Sequence, residues 1–261
     1  MISKQRHRKW VRDRCEGLFQ YNIVDKNSGK KWRTTNLDII NTFIEEYNAS
    51  GFIPEYLITR NYWYRQSNRD SVVKHNKRLT NVIKDFVKPT NSKPIFIDHF
   101  MEKHKDKQRT IKDDDAKIVL VKNTLSGEYE DDVEYEVVEG SYHIHTIISG
   151  FDDDKIFYPN SKIQNAIEMV YGMDNPPLSL CKTDEGLKQI KRDLLNYEIR
   201  NRCDFLGNSK DSLDITSADE KAGYDGFAGW KGIVAYCLKD VYNVDTLLEI
   251  YDDTNSSIFP K

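Results

Sequence analysis

Two histidines, two positions apart, have the clearest potential for metal chemistry in this chain. His143 and His145 belong to the run Tyr142–Ser149, whose residues favour a β-strand. In a strand, residues i and i+2 point to the same face and lie about 6 to 7 Å apart along the chain. The pair could hold a divalent ion, or it could be two polar residues on the solvent face of an amphipathic strand.

A metal ion held by two imidazoles needs at least one more ligand, and a carboxylate suits Mg²⁺ or Mn²⁺ better than a thiolate. Two glutamates are candidates. If Gly140 and Ser141 form a two-residue hairpin turn, Glu136 lies opposite His145 with its side chain on the same face. Alternatively, the neighbouring strand is the one that holds Glu102, and residues of about 105–139 are an insertion between the two strands.

A tyrosine and a lysine near the end of the chain form the second candidate pair. Tyr236 and Lys239 are three residues apart in a predicted helix, so their side chains share one face. A tyrosine hydroxyl, with a pKa of about 10, becomes a useful nucleophile only beside a metal or a cation. Lys239 would supply that cation; the structural alternative is an interior aromatic residue beside a surface lysine.

The elements that must position these residues are a mixture of strands and helices. Hydrophobic periodicity predicts helices at about 36–47, 68–87, 163–171, 184–205 and 233–242. Strands are predicted at about 56–59, 95–104, 117–122, 133–138 and 142–149. The sequence therefore predicts a mixed fold, with the histidine pair on a strand and Tyr236 on a helix.

Composition indicates a heavily charged, soluble protein. Charged residues make up 31% of the chain, mean hydropathy is −0.70, and the formal net charge is −3. We find no apolar run near the ~20 residues that a membrane helix needs, and no apolar segment of a secretory signal follows the basic amino terminus. We therefore expect a cytoplasmic protein without a membrane partner.

Charge is unevenly distributed along the chain. Basic residues crowd positions 4–14 and 60–78, whereas acidic residues gather at 113–115, 128–132 and 152–154. This segregation favours a protein that binds a polyanion, although solvated helix faces would also show charge runs. The four cysteines form no CxxC pair, so the sequence suggests neither a zinc ribbon nor a disulfide framework.

The order of these motifs resembles that of the HUH endonuclease superfamily, specifically its replication-initiator (Rep) branch. The run from Tyr56 to Tyr62, with Thr59 as its hydroxyl residue, is the counterpart of motif I. His143-Ile144-His145 matches the His-hydrophobe-His of motif II, and Tyr236 to Lys239 match motif III. The resemblance covers roughly residues 55–242, and motifs II and III carry its specificity.

The resemblance implies an α/β (α+β) fold, with a central antiparallel β-sheet flanked by helices. It implies a nuclease domain over 51–250, preceded by a basic helical extension over 1–50 and followed by a tail over 251–261. The segment Met101 to His104 is similar to a Glu-x-His segment of several Rep subfamilies, so the resemblance places Glu102 first as the third metal ligand. It implies Mn²⁺ or Mg²⁺ as the metal, and DNA contacts from motif I and the residues just after it, namely Thr59, Arg60, Asn61, Tyr62, Trp63 and Arg65.

The function that the resemblance implies is nicking and rejoining of single-stranded or hairpin origin DNA. Tyr236 would form a 5′-phosphotyrosine, Lys239 would hold the tyrosine or the phosphate, and the free 3′-hydroxyl would prime rolling-circle replication of a plasmid or virus. Position 240 is Asp, so a second nucleophile four residues after Tyr236 is absent. A single-tyrosine transposase and a non-catalytic DNA-binding module are the alternatives.

The sequence also bears on partners and compartment. No GxxxxGK[ST] phosphate loop occurs in the chain, so a helicase, like the polymerase, would come from another chain or from the host. The expected compartment is the host cytoplasm, or the nucleus if the replicon is a eukaryotic virus.

Overall fold

A computed structural model gives the fold of the chain. It describes residues 23–24, 31–32, 37–62, 66–87, 94–103, 107–110, 118–122, 129–133, 135–138, 141–150, 161–206, 212–218, 224, 226–241, 244–252 and 255–256.

Within these ranges the chain forms ten strands and six α-helices. The strands are β1 (Ile23–Val24), β2 (Lys31–Trp32), β3 (Tyr56–Asn61), β4 (Phe96–Lys103), β5 (Lys107–Thr110), β6 (Ile118–Lys122), β7 (Tyr129–Val133), β8 (Tyr135–Val138), β9 (Tyr142–Ser149) and β10 (Leu213–Ser217). The helices are α1 (Leu37–Ser50), α2 (Arg69–Val87), α3 (Ser161–Tyr171), α4 (Asp184–Arg202), α5 (Gly229–Cys237) and α6 (Val244–Ile250). A short 3₁₀ helix spans Leu180–Lys182.

A four-stranded sheet in the order β10-β3-β9-β4 lies at the centre of the fold, and each pair of neighbours is antiparallel. The predicted class, an antiparallel sheet flanked by helices, is confirmed at this level. Strand β9 is central and fully buried, and its β-branched isoleucines pack on both faces of the sheet. The strand with the histidine pair therefore has one neighbour on each side, β3 and β4.

Side-chain alternation divides the sheet into two faces, each covered by three helices. Leu57, Phe100 and Ile147 point to the face on which α1, α5 and α6 pack. Their sequence neighbours on the same strands, such as Ile58 and Ile148, point to the face on which α2, α3 and α4 pack. This division follows from the two-residue period of a strand, and each face buries its own apolar cluster.

Capping and the charges at both ends stabilise helix α4. Thr183 caps α4, since its hydroxyl accepts a hydrogen bond of 3.0 Å from the amide of Gly186. The first turn of α4 contains Asp184 and Glu185, and its last turn contains two arginines, as the helix dipole favours. Helix α4 can therefore hold its apolar stripe, which includes Ile190 and Leu194, against the sheet.

Within the described residues, the four strands between β4 and β9 pair with one another. Strand β5 pairs with β8, and β6 pairs with β7, so none of them joins the four-stranded sheet. This pairing overturns one of the two sequence-based geometries, because Glu136 lies opposite Arg109 of β5 and not opposite His145. Both edges of β9 are already occupied by β3 and β4, which leaves no edge for the strand that holds Glu136.

The two ends predicted as an extension and a tail both contribute to the core. Ile40 and Phe43 of α1 are buried against α5, and Tyr251 is fully buried beside Phe100. The amide of Asp252 donates to the carbonyl of His99 at 3.0 Å, which covers the outer edge of β4. The domain boundaries themselves stay a prediction, but residues 37–50 and 251–252 pack as parts of the same core.

Helix α5 differs from its predicted limits at both ends. It begins at Gly229, inside the stretch expected to be a glycine-rich connection, and it ends at Cys237. Gly232 is buried there, so the helix can approach its neighbours closely. Lys239 therefore lies in the turn after the helix, where its amide donates to the carbonyl of Tyr236 at 3.3 Å. No helix within the described ranges combines the length and the apolar character that crossing a membrane requires.

Candidate metal centre

Three adjacent strands bring the candidate metal ligands to one end of the sheet. Glu102 of β4 pairs directly with His143 of β9, which in turn pairs with Asn61 of β3. One step along the sheet, on the same face, His145 pairs with Thr59. The sheet thus decides between the two sequence-based candidates: the carboxylate beside the histidine pair is that of Glu102.

The three donor atoms converge on a single point. Nε2 of His143 lies 3.1 Å from Nε2 of His145, and Oε2 of Glu102 lies 3.0 Å from the first and 3.5 Å from the second. One point lies about 2 Å from each of the three atoms, and about 2 Å is the bond length that a small divalent ion needs. In the described part of the chain, this is the one group of three such residues close enough to hold an ion.

The protonation of His145 fits a metal ligand. Burial of the ring lowers the pKa of His145 to about 4, in spite of the opposing interaction with the carboxylate of Glu102, so the imidazole is neutral near pH 7. Its Nδ1 lies 3.2 Å from Oγ1 of Thr59. With the ring proton on Nδ1, His145 donates to Thr59 and presents the lone pair of Nε2 to the convergence point. A neutral imidazole with a fixed tautomer is the form that binds metal.

Glu102 stays ionised in this environment. Burial alone would raise its pKa, but the interactions with His143, His145 and Lys239 outweigh that effect and hold the pKa well below its usual range. Nζ of Lys239 lies 2.8 Å from Oε2 of Glu102. The pKa of Lys239 is raised, because its interactions with Glu102 and Tyr236 outweigh the opposing effect of burial. The centre therefore combines one carboxylate, two imidazoles and one ammonium group.

Tyr236 is held beside this centre by the last turn of α5. Its ring lies 5.1 Å from the ring of His145 in an edge-to-face contact, and Nζ of Lys239 lies 4.2 Å from its centroid. The ring of Tyr224 also makes an edge-to-face contact with it, at 5.8 Å. Sequence reasoning missed Tyr224, since a tyrosine in a glycine-rich connection has no spacing that links it to Tyr236. The predicted pairs of His143 with His145 and Tyr236 with Lys239 meet in one site.

The residues predicted to bind DNA fall into three groups. Thr59 and Asn61 lie on the same face as the metal ligands, and Asn61 is exposed. Arg60 points to the opposite face, where it is 1% exposed and donates to Oδ1 of Asn76 at 2.6 Å. Tyr62 points the same way, and its hydroxyl lies 3.2 Å from Nδ1 of His75.

Strand alternation turns the side chain of Arg60 into the core, away from the face on which the metal ligands lie. The DNA contacts of these residues stay a prediction. Trp63 and Arg65 lie outside the described residues.

Comparison with known proteins returns no similarity. No protein-family model matches the chain, and no curated protein and no solved structure matches it. What the site can do must therefore be argued from its own residues.

Proposed function

We propose that this protein nicks and rejoins single-stranded DNA through a covalent bond between Tyr236 and a 5′-phosphate. The observation that carries the proposal is the convergence of two motifs about ninety residues apart in the chain. The ring of Tyr236 lies 5.1 Å from that of His145, and Lys239 forms an ion pair of 2.8 Å with Glu102, one of the candidate metal ligands. A nucleophile, a cation and a set of metal ligands are thus within reach of one phosphate.

The metal would be held by Glu102, His143 and His145. A bound Mn²⁺ or Mg²⁺ supplies a Lewis acid that offsets the negative charge developing on the phosphate oxygens. The remaining residues of the site act on the tyrosine and on the strand.

The chemical step is a transesterification. The phenol oxygen of Tyr236 attacks the phosphorus, a new Tyr Oη–P bond forms, and the P–O3′ bond of the DNA breaks. The phenol proton passes to solvent, and the departing 3′-oxygen takes up a proton to become a free hydroxyl. The number of phosphodiester bonds is unchanged, so the reverse reaction can rejoin the strand.

Lys239 would serve as a fixed cation in this step. Because Glu102 and Tyr236 raise its pKa, the amine remains protonated and cannot act as the base. Its position beside both Glu102 and the ring of Tyr236 lets it stabilise a developing phenolate or a phosphate oxygen. Thr59 holds the ring of His145 from the side away from the convergence point.

The wider role that fits this chemistry is initiation of rolling-circle replication. The motif order that resembles the Rep branch of the HUH superfamily supports it, and so does the antiparallel sheet, which sets motifs I and II on adjacent strands with the helix of motif III packed on one face. We propose single-stranded or hairpin origin DNA as the substrate, with a polymerase and a helicase supplied by the host.

The nucleophile is tested by replacing Tyr236 with Phe. Tyr236→Phe keeps the ring contacts with His145 and Tyr224 but removes the attacking oxygen. We expect no covalent adduct with labelled random single-stranded oligonucleotides in Mn²⁺, on a denaturing gel, while binding stays close to that of the parent protein. The matched control is Tyr224→Phe, which should still form the adduct.

An adduct formed by Tyr236→Phe at the parent level would overturn the assignment. Metal dependence is tested in the same assay with a chelator, followed by addition of Mn²⁺, Mg²⁺ or Zn²⁺ in separate reactions. Cleavage that a chelator leaves undiminished would contradict the role of Glu102, His143 and His145.

A further inference from the structure

A second concave surface lies at the opposite end of the sheet from the metal ligands. It is a cleft of about 220 Å³ between the start of β3, the end of β10, α4 and the first turn of α5. Tyr56 and Ser217, which are paired across β3 and β10, lie at its floor. The residues that give it chemical character are Trp230, Lys188, Lys191 and Glu55.

Two lysines give the cleft a positive side. Lys188 and Lys191 are three residues apart on α4, so both side chains are on the face that lines the cleft. Lys191 is only 4% exposed, so its charge lies inside the protein. Glu55 is the acidic residue among the lining side chains, and its Oε1 accepts a hydrogen bond of 3.0 Å from the amide of Gly150. The cleft thus favours an anion near α4.

An aromatic side chain forms the other wall. Trp230 is half-buried, and the ammonium of Lys231 lies 5.9 Å from the centroid of its ring. Both residues belong to the first turn of α5, whose N-cap position is Ala228, a residue with no side-chain acceptor for the first-turn amides. A flat aromatic ring beside lysines and a helix N-terminus is a combination suited to one nucleotide, with its base on the ring and its phosphate near the cations.

We propose that this cleft is a second binding site for the DNA strand, in which a nucleobase stacks on Trp230 and the adjoining phosphate contacts Lys188. The inference rests on the proposed function and extends it to a strand-anchoring site. Helix α5 connects the two places: Trp230 is in its first turn and Tyr236 in its last. Six residues of helix correspond to about 9 Å, a span of one or two nucleotides. The helix that presents the nucleophile also anchors the strand.

The test measures binding of dye-labelled single-stranded oligonucleotides by fluorescence anisotropy, in the full chain that contains Tyr236→Phe so that no adduct forms. In that background, Trp230→Ala should weaken binding about tenfold, the loss of one base stack. Trp230→Phe keeps a ring and should bind within a few-fold of the parent.

Lys188→Glu tests the phosphate contact in the same background. It should weaken binding and reduce the dependence of log Kd on log salt by about 0.7 for each phosphate lost. The matched control is Lys84→Glu on α2, which exchanges an exposed lysine that does not line the cleft and should leave the cleft-dependent binding unchanged.

Parent-level affinity and salt dependence in both Trp230→Ala and Lys188→Glu would overturn the cleft site. Displacement of the oligonucleotide by millimolar dTMP, with Trp230→Ala abolishing that displacement, would show a free-nucleotide site instead and would also overturn it. The covalent assay separates the two proposals. If Tyr236→Phe still forms the adduct while Trp230→Ala loses affinity, the nucleophile assignment fails and the cleft site stands. If Tyr236→Phe forms no adduct while Trp230→Ala keeps the parent affinity, the nucleophile assignment stands and the cleft site fails.

Discussion

The two faces of the four-stranded sheet each bury a histidine-containing polar cluster, but the two clusters differ in where the ring nitrogens point. On the α2 face, Nε2 of His99 lies 2.8 Å from Oγ1 of Thr80, and Nδ1 lies 2.8 Å from Oγ1 of Thr146. On the α5 face, Nδ1 of His145 lies 3.2 Å from the hydroxyl of Thr59. Its Nε2 turns toward His143 and Glu102.

The difference shows how a structural histidine can be told from a candidate ligand. Both nitrogens of His99 are occupied by hydroxyl groups, and burial holds its pKa well below the usual value, so it is a neutral hydrogen-bonding bridge within the core. His145 is just as buried and also neutral, yet its second nitrogen shares a point with another imidazole and a carboxylate. Burial alone does not separate the two residues, whereas the partners of Nε2 do.

The largest contrast is expected from removing each histidine. His145→Ala should lower Mn²⁺ affinity at least about a hundredfold, because a direct ligand is lost. His99→Ala should leave Mn²⁺ affinity within a few-fold but destabilise the fold by about 2 to 4 kcal/mol, because two buried hydrogen bonds and a ring are lost. Isothermal titration with Mn²⁺ and urea unfolding measure the two effects.

Glu136→Ala is the negative control for the same titration, since β8 pairs with β5 and not with β9. Equal loss of Mn²⁺ affinity in His99→Ala and His145→Ala would remove the distinction between the two faces.

The pH dependence of stability should also distinguish His145. Its pKa is about 4 in the folded protein and about 6.5 when unfolded, so the unfolded state takes up the proton first. Its contribution is complete above the unfolded pKa and is lost as pH falls toward the folded pKa. In chelator, the parent should lose about 2 kcal/mol more stability than His145→Gln between about pH 7.5 and about pH 5. Matching urea-unfolding curves for the two proteins at each pH would contradict this.

Arg60 and Asn61 test the two faces with adjacent residues of one strand. Arg60→Met should destabilise the protein by about 1 to 3 kcal/mol, because Oδ1 of Asn76 loses a buried donor at 2.6 Å. It should leave affinity for single-stranded DNA unchanged, since Arg60 is buried away from the site. Asn61→Ala should show the opposite pattern, with unaltered stability and a few-fold loss of affinity. A DNA-binding defect in folded Arg60→Met would restore the original expectation.

A smaller effect on metal affinity than that of His145→Ala is expected from the hydroxyl behind His145. Thr59→Val removes the acceptor for Nδ1 and should reduce Mn²⁺ affinity about tenfold, while Thr59→Ser should retain it. The measurement is the Mn²⁺-induced rise in melting temperature across a titration. Parent-like affinity in Thr59→Val would mean that packing alone orients the ring.

Several features of the candidate site could be read from the sequence, because they depend on local periodicity. The two-residue period of a strand places His143 and His145 on one face, and a single turn after a helix residue keeps Lys239 beside Tyr236. The long helices at 69–87 and 184–202 also follow from apolar spacing and capping residues. The sequence does not predict strand β10, because its five residues are of mixed polarity and give only a weak apolar alternation.

Other features were decided by the tertiary structure, because they depend on which strands pair. Local geometry favoured Glu136, but the sheet order placed Glu102 beside His143. The place of β3 in the same sheet turned Arg60 into the core, although its basic neighbours suggested a DNA contact. Pairing between strands forty residues apart depends on the packing of the whole core and leaves no signature in the spacing of nearby residues. The sequence by itself determined which side chains could do chemistry, and the antiparallel sheet decided which of them meet.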